Sequence, residues 1–240
     1  MLLNSSFKKD KIADMLKLIS SMATRQLLAD LTVQWQRMSG VDVAIESVGG
    51  VDAARRVQAG EAFDGVVLAQ EAIDKLMASG HVVAGSRVDL VQSSVAVAVQ
   101  AGTQLPDIST EAALRRAIEA APTIGYSTGP SGVALVKLFE KWGIWEGVQN
   151  RIVQTPPGVP VGMLVASGEV ALGFQQLSEL MHLEGITVVG VLPGSASITT
   201  IFSAAVCVAS TQREKLAGLL AFMTSADVAN IKLHHGMQAL

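Results

Sequence analysis

The feature that most constrains this chain is a regular alternation of short apolar runs with amphipathic segments, most of which are closed by glycine. Short runs rich in β-branched residues are typical of buried strands, whereas apolar residues three and four positions apart predict helices. Strands that alternate with helices favour a parallel sheet with right-handed crossovers. The predicted elements of the first series are strand 16–19, helix 24–38, strand 41–45, helix 51–59, strand 64–68 and helix 71–79.

A second series of the same kind follows after a long extended run at 88–100, and a second extended run covers 198–209. Glycine stops and helical periodicity place its elements as before. The predicted elements of this series are helix 110–120, strand 123–127, helix 131–142, strand 151–155, helix 160–167, strand 170–175, helix 177–183 and strand 186–191, with helices 212–224 and 226–234 at the end of the chain.

Two α/β series joined by two extended runs predict two lobes connected by a two-strand hinge. We expect each lobe to hold a mixed, mostly parallel sheet flanked by helices. The predicted division is lobe I at 15–90 and 205–240, lobe II at 91–204, and an N-terminal extension at 1–14.

Charge and cysteine content argue against several classes of function. Lys and Arg number 18 against 21 acidic residues, with a net charge of −3 and no basic cluster, so we expect no nucleic-acid partner. The single cysteine, Cys207, lies in an apolar run and predicts a buried thiol. No metal-ligand spacing, P-loop or dinucleotide fingerprint occurs, so we expect neither a metal nor a cofactor.

Membrane and export signals are also missing from the sequence as written. No stretch reaches the roughly 18 apolar residues of a membrane span, so we expect no membrane insertion. The polar segment 1–14 contains no apolar core of a signal peptide, which predicts a cytoplasmic protein if this is the native start. A mature form, or a start at Met15, is the alternative interpretation.

Four junctions between a predicted strand and the following helix are rich in small residues. Ligands collect at the carboxyl ends of strands in open α/β sheets. The unpaired N–H groups and the positive dipole end of each following helix favour an anion there, although such residues also make ordinary turns. The four junctions are Ser20–Arg25, Ser47–Asp52, Tyr126–Gly132 and Pro156–Gly162.

The third junction overlaps the run Gly125-Tyr-Ser-Thr-Gly129, which matches the G-x-S-x-G string of a hydrolase nucleophile elbow. An elbow needs the serine at the turn itself, but Ser127 is predicted to belong to a strand, and the helix to start at about residue 130 or 131. Asp227 and His234 follow in triad order but on one terminal helix. We therefore interpret Ser131 and Gly132 as an anion-binding helix start and the string as a coincidence.

Three further side chains are candidates for ligand contacts. Arg25, early in its helix, has the chemistry to pair with a carboxylate, and a solvated surface charge is the equal alternative. Gln175 and Gln176 end a strand that should be buried, where ligand hydrogen bonds and packing are both open. Tyr126 either reaches the ligand or packs against the sheet.

Five segments resemble in order and spacing the periplasmic molybdate-binding-like solute-binding proteins, and the similarity runs from about Met15 to the end. These segments are Ser20–Arg25, Glu46–Ala54, Gly60–Leu68, Gly125–Val133 and Leu172-Gly-Phe-Gln-Gln-Leu-Ser-Glu-Leu180. The resemblance implies a type II periplasmic-binding fold, in which two α/β lobes clamp an anion between helix N-termini. It also implies a periplasmic location, an ABC permease as partner and a monomer.

Carried over residue by residue, the resemblance places one ligand hydroxyl at Ser21 or Thr24 and a second at Gly50, which has none. Backbone amides fall near Ser131 and Val159, and a tyrosine of the family is replaced by Gln176. With Arg25, these departures favour an organic di- or tricarboxylate over molybdate. The predicted ligand-binding residues are Ser21, Thr24, Arg25, Gly49, Gly50, Ser131, Gly132, Val159, Val161 and Gln176.

A branch with this Gly-Phe-Gln-Gln run is also similar to aconitate isomerase, an enzyme that moves a double bond in a tricarboxylate on the same fold. Such chemistry needs a base, for which Glu46, Tyr126 and a serine relay are the candidates. Three hypotheses therefore stand: a solute-binding protein without catalysis, an isomerase, and a stand-alone sensor. We favour the first.

Overall fold

The computed structural model describes residues 15–156 and 158–240, so the predicted extension 1–14 and Pro157 of the fourth junction lie outside the described residues. The strands are β1 (Leu16–Ser21), β2 (Val43–Val48), β3 (Gly65–Ala69), β4 (Val88–Gln100), β5 (Ile124–Ser127), β6 (Ile152–Thr155), β7 (Leu172–Gln176), β8 (Ile186–Val191), β9 (Thr199–Val206) and β10 (Met237–Ala239). The helices are α1 (Arg25–Ser39), α2 (Gly50–Gln58), α3 (Gln70–Ala78), α4 (Glu111–Ala120), α5 (Pro130–Lys141), α6 (Trp145–Val148), α7 (Val161–Ala166), α8 (Leu177–Leu180), α9 (Arg213–Thr224) and α10 (Ala229–His234).

The described chain divides into two compact units. Unit 1 comprises 15–91, Phe202–His234 and Ala239–Leu240, and unit 2 comprises Gln92–Ile201 and His235–Gln238. β4 and β9 are the long extended runs of the sequence, and each passes from one unit into the other. The prediction of two α/β units connected by two strands is therefore confirmed.

In unit 1, β1 lies between β2 and β3 and is parallel to both, and β9 is antiparallel to β3. One face of this sheet is covered by α2 and α3. Ile73 and Leu76 of α3 are buried in one cluster with Ile19 and Leu68 of the strands. α1 packs against α9 and α10, with the Trp35 ring 5.6 Å from the ring of Phe222. Each fully buried aliphatic side chain contributes about 1.5–3 kcal/mol to the unit's stability.

In unit 2, β5 lies between β6 and β7 and is parallel to both, and β4 runs antiparallel to β7 and β8. The two faces of the sheet carry separate cores. α5 covers the face that presents Tyr126 and Phe174, and the Phe174 ring lies 6.2 Å from Phe139 of that helix. α7 covers the opposite face through Val161 and Val165.

Several element ends differ from the sequence-based expectation. β1 continues to Ser21, and Met22–Thr24 form a 3-10 turn, so α1 starts at Arg25 and not at Thr24. The predicted helix 226–234 is a 3-10 turn at Ala226–Val228 followed by α10. β10 was not predicted; it follows Gly236, whose φ of 66° lies in the left-handed region that glycine tolerates.

Among the described residues, no single helix has the length and apolar composition of a membrane span; α9 and the segment Ala226–His234 meet those two criteria only together, and they are bent by 59°.

Cys207 gives unit 1 a pH-dependent contribution to stability. The thiol is 2% exposed, and burial, followed by the nearby Asp64 charge, raises its pKa from 9.0 to about 12. The pKa of the thiol is higher in the folded protein than in the unfolded chain. The protonated thiol therefore stabilises the folded state fully below pH 9, and this contribution is lost between pH 9 and about pH 12.

We expect Cys207→Ala to flatten the alkaline loss of stability. The wild type should lose up to about 1.4 kcal/mol of unfolding free energy per pH unit more than the variant above the thiol's unfolded-state pKa. Urea unfolding at a series of pH values measures this difference. Below pH 9 the unfolding free energies of the two proteins should differ by a constant amount, which is the cost of the cavity left by the thiol. If the two free energies also fell in parallel above pH 9, the raised pKa of Cys207 would be contradicted.

Candidate functional site

The carboxyl ends of β1 and β2 lie side by side in unit 1. Ser20 is in register with Ser47, and their hydroxyl oxygens are 2.7 Å apart, so these two serines hydrogen-bond each other. Both hydroxyls have a partner within the protein. The junction therefore uses two of its serines to fix the strand ends.

Ser21 differs from these serines because its buried hydroxyl has no hydrogen-bond partner in the described part of the chain. It precedes the 3-10 turn but does not cap it. The Thr24 hydroxyl, by contrast, is fully buried and donates to the Ser21 carbonyl oxygen at 3.2 Å. Of the two hydroxyls that the sequence left as alternatives, only that of Ser21 is unpartnered.

Gly49 and Gly50 begin α2 beside Ser21. Gly49 holds the position before the helix with an extended backbone and no side-chain cap. A Cβ added at Gly50 would lie 3.7 Å from the Ser21 Cβ, an ordinary van der Waals distance, so the position has room for a small side chain. The acid in the first turn, Asp52, is paired with Arg55 at 3.0 Å.

Arg25 is the first residue of α1 and has an exposed side chain. It makes no hydrogen bond or ion pair with any residue in the described part of the chain, whereas Arg56, for example, is bound by Glu46 and Glu61. The first turn of α1 contains no acid. The first residue of the helix that follows Ser21 therefore carries a guanidinium without a partner in the described chain.

In unit 2 the parallel register brings the last residues of three strands to one edge of the sheet. Ser127 pairs with Thr155, and Tyr126 pairs with Phe174, two residues before the end of β7 at Gln176. Thr155 is 1% exposed, and its hydroxyl has no partner. Its position as the last residue of a strand was the sequence signal that could have identified it.

α5 starts at this edge and is held against the end of β5. Gly129 precedes the helix, Pro130 is its first residue, and Ser131 is buried. A Cβ at Gly132 would lie 1.9 Å from the carbonyl oxygen of Ser127, so only glycine fits. The first N–H groups of a helix lack intrahelical acceptors and favour an anion.

Ser127 is the last residue of β5, two residues ahead of Gly129–Pro130, as predicted. It is therefore not the residue at a strand-to-helix turn that an elbow requires. Asp227 and His234 lie in unit 1, whereas Ser127 lies in unit 2. His235 belongs to unit 2 and contacts His182, with ring nitrogens 3.3 Å apart.

The two glutamines at the end of β7 have different partners. Gln175, on the α7 face, accepts from the Val161 N–H at 2.8 Å and donates to Glu179 at 2.7 Å. This bond occupies the Val161 N–H, which was predicted to bind a ligand. Gln176 donates to Thr200 at 2.8 Å, and its carbonyl oxygen is buried without a partner. The Val159 N–H donates to the Pro156 carbonyl at 3.1 Å.

Glu46 and Tyr126, the two residues predicted as candidates for the base, both have pKa shifts that disfavour proton abstraction. The hydrogen bond from Arg56 lowers the pKa of Glu46, so this carboxylate is a weak base. Burial raises the pKa of Tyr126 above 10.0, so the phenol is a proton donor at neutral pH. Within the ranges 15–156 and 158–240, no group of three or more His, Cys, Asp or Glu side chains could hold a metal ion.

Two α/β units linked by two long strands, each with a polar edge where helices begin, define the class of solute-binding proteins with the type II periplasmic-binding fold. The model of the bacterial extracellular solute-binding protein family matches residues 16–238, and the chain therefore belongs to that family.

Similar proteins agree with this assignment. The chain is 36% identical over 220 residues to an aconitate isomerase from Pseudomonas sp, covering 89% of this chain and 84% of that protein. The periplasmic molybdate-binding protein of Azotobacter vinelandii is 18% identical, with a TM-score of 0.75 over 94% of this chain and 99% of its own. The tungstate ABC transporter structure from Geobacter sulfurreducens is 16% identical, with a TM-score of 0.73 over 91% and 97%. These structures share the fold.

We expect Gly132→Ala to destabilise the protein by about 3 kcal/mol or more, because the start of α5 would have to move away from β5. Gly147→Ala is the matched control, since its Cβ would meet no atom within 4 Å. It should be neutral or stabilising by about 0.5–1 kcal/mol. Urea unfolding of the three proteins measures both effects, and equal stabilities would refute the close approach of α5 to β5.

Proposed function

We propose that this protein is a solute-binding protein for a small organic di- or tricarboxylate. The single observation that carries the proposal is Arg25, an exposed guanidinium without an internal partner that follows the unpartnered Ser21 hydroxyl. A guanidinium forms two parallel hydrogen bonds with a carboxylate. The other predicted contacts are the N–H groups at Gly49–Gly50 and Ser131, the Val159 segment and Gln176, whereas the Gly132 N–H donates to the Gly129 carbonyl oxygen at 3.0 Å.

Exposed apolar side chains next to the predicted contacts support an organic ligand. Val51 in the first turn of α2 is 65% exposed, and Val133 in the first turn of α5 is 54% exposed. A ligand with a carbon skeleton would cover such groups, whereas a molybdate-type oxyanion has no apolar surface to bury. Gly50 also lacks the second hydroxyl that the resemblance assigns to oxyanion binding.

We further propose an ABC permease as the partner and the periplasm as the compartment. The family is described as extracellular, and one structural neighbour is named as periplasmic and another as part of an ABC transporter. Stand-alone sensing is the competing role. Co-purification with a permease encoded beside the gene would support transport, and a neighbouring transcription factor as the specific partner would contradict it.

Arg25→Ala should weaken di- and tricarboxylate binding by about ten- to a hundredfold, the value of a charged hydrogen bond. Isothermal titration with citrate, tricarballylate, malate and succinate, after a thermal-shift screen that includes molybdate, tungstate and sulfate, measures the effect. Ligand binding to the folded state raises the melting temperature by mass action, so the screen detects any binder.

Arg37→Ala is the matched control, because Arg37 lies in the last turn of the same helix and is also exposed. It should bind as the wild type does. Gly50→Ser restores a hydroxyl beside Ser21 and should raise affinity for molybdate relative to the carboxylates. Stabilisation by molybdate or tungstate alone would refute a carboxylate ligand, and an unchanged Kd in Arg25→Ala would remove Arg25 from the site.

Aconitate isomerisation is a second candidate function, favoured by the relative that is 36% identical. In this reaction a base removes a proton from the carbon next to a carboxylate, the electron pair shifts through the carbon chain, and a proton returns at the far carbon. Helix N–H groups and Arg25 would stabilise the negative charge in between. The lowered pKa of Glu46 and the raised pKa of Tyr126 weigh against both as the base.

Under this second function, cis-aconitate and trans-aconitate should interconvert, with deuterium entering the product in heavy water. Proton NMR at protein concentrations equal to the substrate's detects even slow turnover. Ser21→Ala and Arg25→Ala preparations control for a contaminating enzyme, since they should lose the activity. Binding without interconversion would eliminate the isomerase and leave the binding protein.

A further inference from the structure

The Gln176 side chain lies at the edge of unit 2 where α5 begins. Phe174, two residues earlier on β7, faces α5 and contacts Phe139, so Gln176 projects to the same face. Gly132 in the first turn of α5 abuts Tyr126 and Ser127, the residues of β5 at that edge. The side chain of Gln176 is 4% exposed. It is therefore a buried amide beside the N-terminus of a helix of 12 residues.

The two ends of this amide are not equivalent. Nε2 donates to the Thr200 hydroxyl oxygen at 2.8 Å, whereas Oε1 has no donor within the described residues. A buried carbonyl oxygen without a donor costs about 1–3 kcal/mol, and such atoms are rare. Because Thr200 accepts from Nε2, Oε1 is the end of the amide that lacks a partner.

A second unpartnered group lies nearby on β4. Val95 is in register with Gln176, so Ser93, two residues before Val95, is its diagonal neighbour on the same face. Ser93 is 1% exposed, and its hydroxyl has no partner among residues 15–156 and 158–240. The N–H groups of Gly132 and Val133 donate to the Gly129 carbonyl oxygen, so the Ser131 N–H is the donor that the start of α5 offers. This edge thus combines one helix N–H donor with an acceptor and a hydroxyl that can donate or accept.

These donor and acceptor groups match a ligand that carries both a carboxylate and a hydroxyl group. The Ser131 N–H and the dipole of α5 suit the carboxylate, which only accepts hydrogen bonds at neutral pH. The Gln176 oxygen needs a donor, and in a carboxylate ligand without nitrogen that donor is an O–H group. A fully deprotonated oxyanion, or a carboxylate without a hydroxyl, offers no donor and would leave Oε1 unsatisfied.

We propose that Gln176, held in orientation by Thr200, accepts a hydrogen bond from an alcohol hydroxyl of the ligand and so selects hydroxycarboxylates. This inference rests on the proposed function and narrows its ligand class. Thr200 acts as a positioning residue, because its contact with Nε2 decides which end of the amide is presented.

Citrate and tricarballylate test this directly, because they differ only in the hydroxyl on the central carbon; malate and succinate form a second such pair. We expect the wild type to bind the hydroxylated member of a pair at least about tenfold more tightly, measured by titration calorimetry. Gln176→Leu should bring the two affinities of a pair close together, mainly by losing affinity for the hydroxylated member.

Thr200→Val provides a milder variant if Gln176→Leu does not fold, which circular dichroism and thermal unfolding will show. Without Thr200 to hold Nε2, the Oε1 acceptor is no longer fixed in orientation, so the preference for the hydroxylated member should shrink while binding persists. Gln104→Leu, an exposed position in the same unit, is the control and should keep the wild-type ratio.

Equal affinities within both pairs, or a preference for the member without a hydroxyl, would overturn the hydroxyl contact while leaving the carboxylate function intact. A ratio unchanged in folded Gln176→Leu or in Thr200→Val would do the same. If no carboxylate binds and an inorganic oxyanion does, the proposed function fails, and this inference fails with it.

Discussion

The parallel pairing of the central strands is the constraint on which both units depend. β1 and β5 each have parallel neighbours on both sides, and such strands need helices on both faces of the sheet. The crossover helices therefore all begin at the same edge, where the strands end. Their unpaired N–H groups and the polar residues of the junctions are brought together by topology alone.

Hydrogen-bond partners separate the polar groups that build this edge from those that remain available. Ser20, Ser47, Thr24 and Gln175 all bond within their units and fix strand ends or helix starts. The Ser21 hydroxyl and the Gln176 oxygen are also buried but have no partner among the described residues. Since a protein rarely buries such atoms at no benefit, they are the strongest candidates for ligand contacts.

The fold was predictable from sequence because hydrophobic periodicity and glycine stops mark elements whose type does not depend on distant residues. Element ends were less predictable, since the start of α1 depends on a hydrogen bond between Thr24 and Ser21. β10 pairs with β4, a strand far from it in the sequence, so no local sequence pattern predicts β10.

The site was predictable only to the level of junctions. Adjacent glutamines look alike in sequence, and only the strand register assigns Gln175 to the α7 face and Gln176 to the α5 face. Likewise, Ser93 and Thr200 carry no local signal, because their relation to Gln176 comes from strand pairing and a contact between β7 and β9. Gly132 was recognised as a helix start, but its steric role needs the position of the Ser127 carbonyl.

The departures from the molybdate-binding pattern are consistent with one another under the proposed function. An inorganic oxyanion presents only acceptors, so a site for it needs donors throughout. Replacing a hydroxyl with Gly50 removes a donor, and an amide oxygen at Gln176 adds an acceptor, so both changes weaken a site of that kind. The same changes suit a larger ligand, because Gly50 leaves space beside Ser21. The amide oxygen of Gln176 also favours a ligand that has a hydrogen-bond donor. Under the proposed function the positive charge would come from Arg25, whose planar guanidinium matches a carboxylate better than it matches a tetrahedral ion.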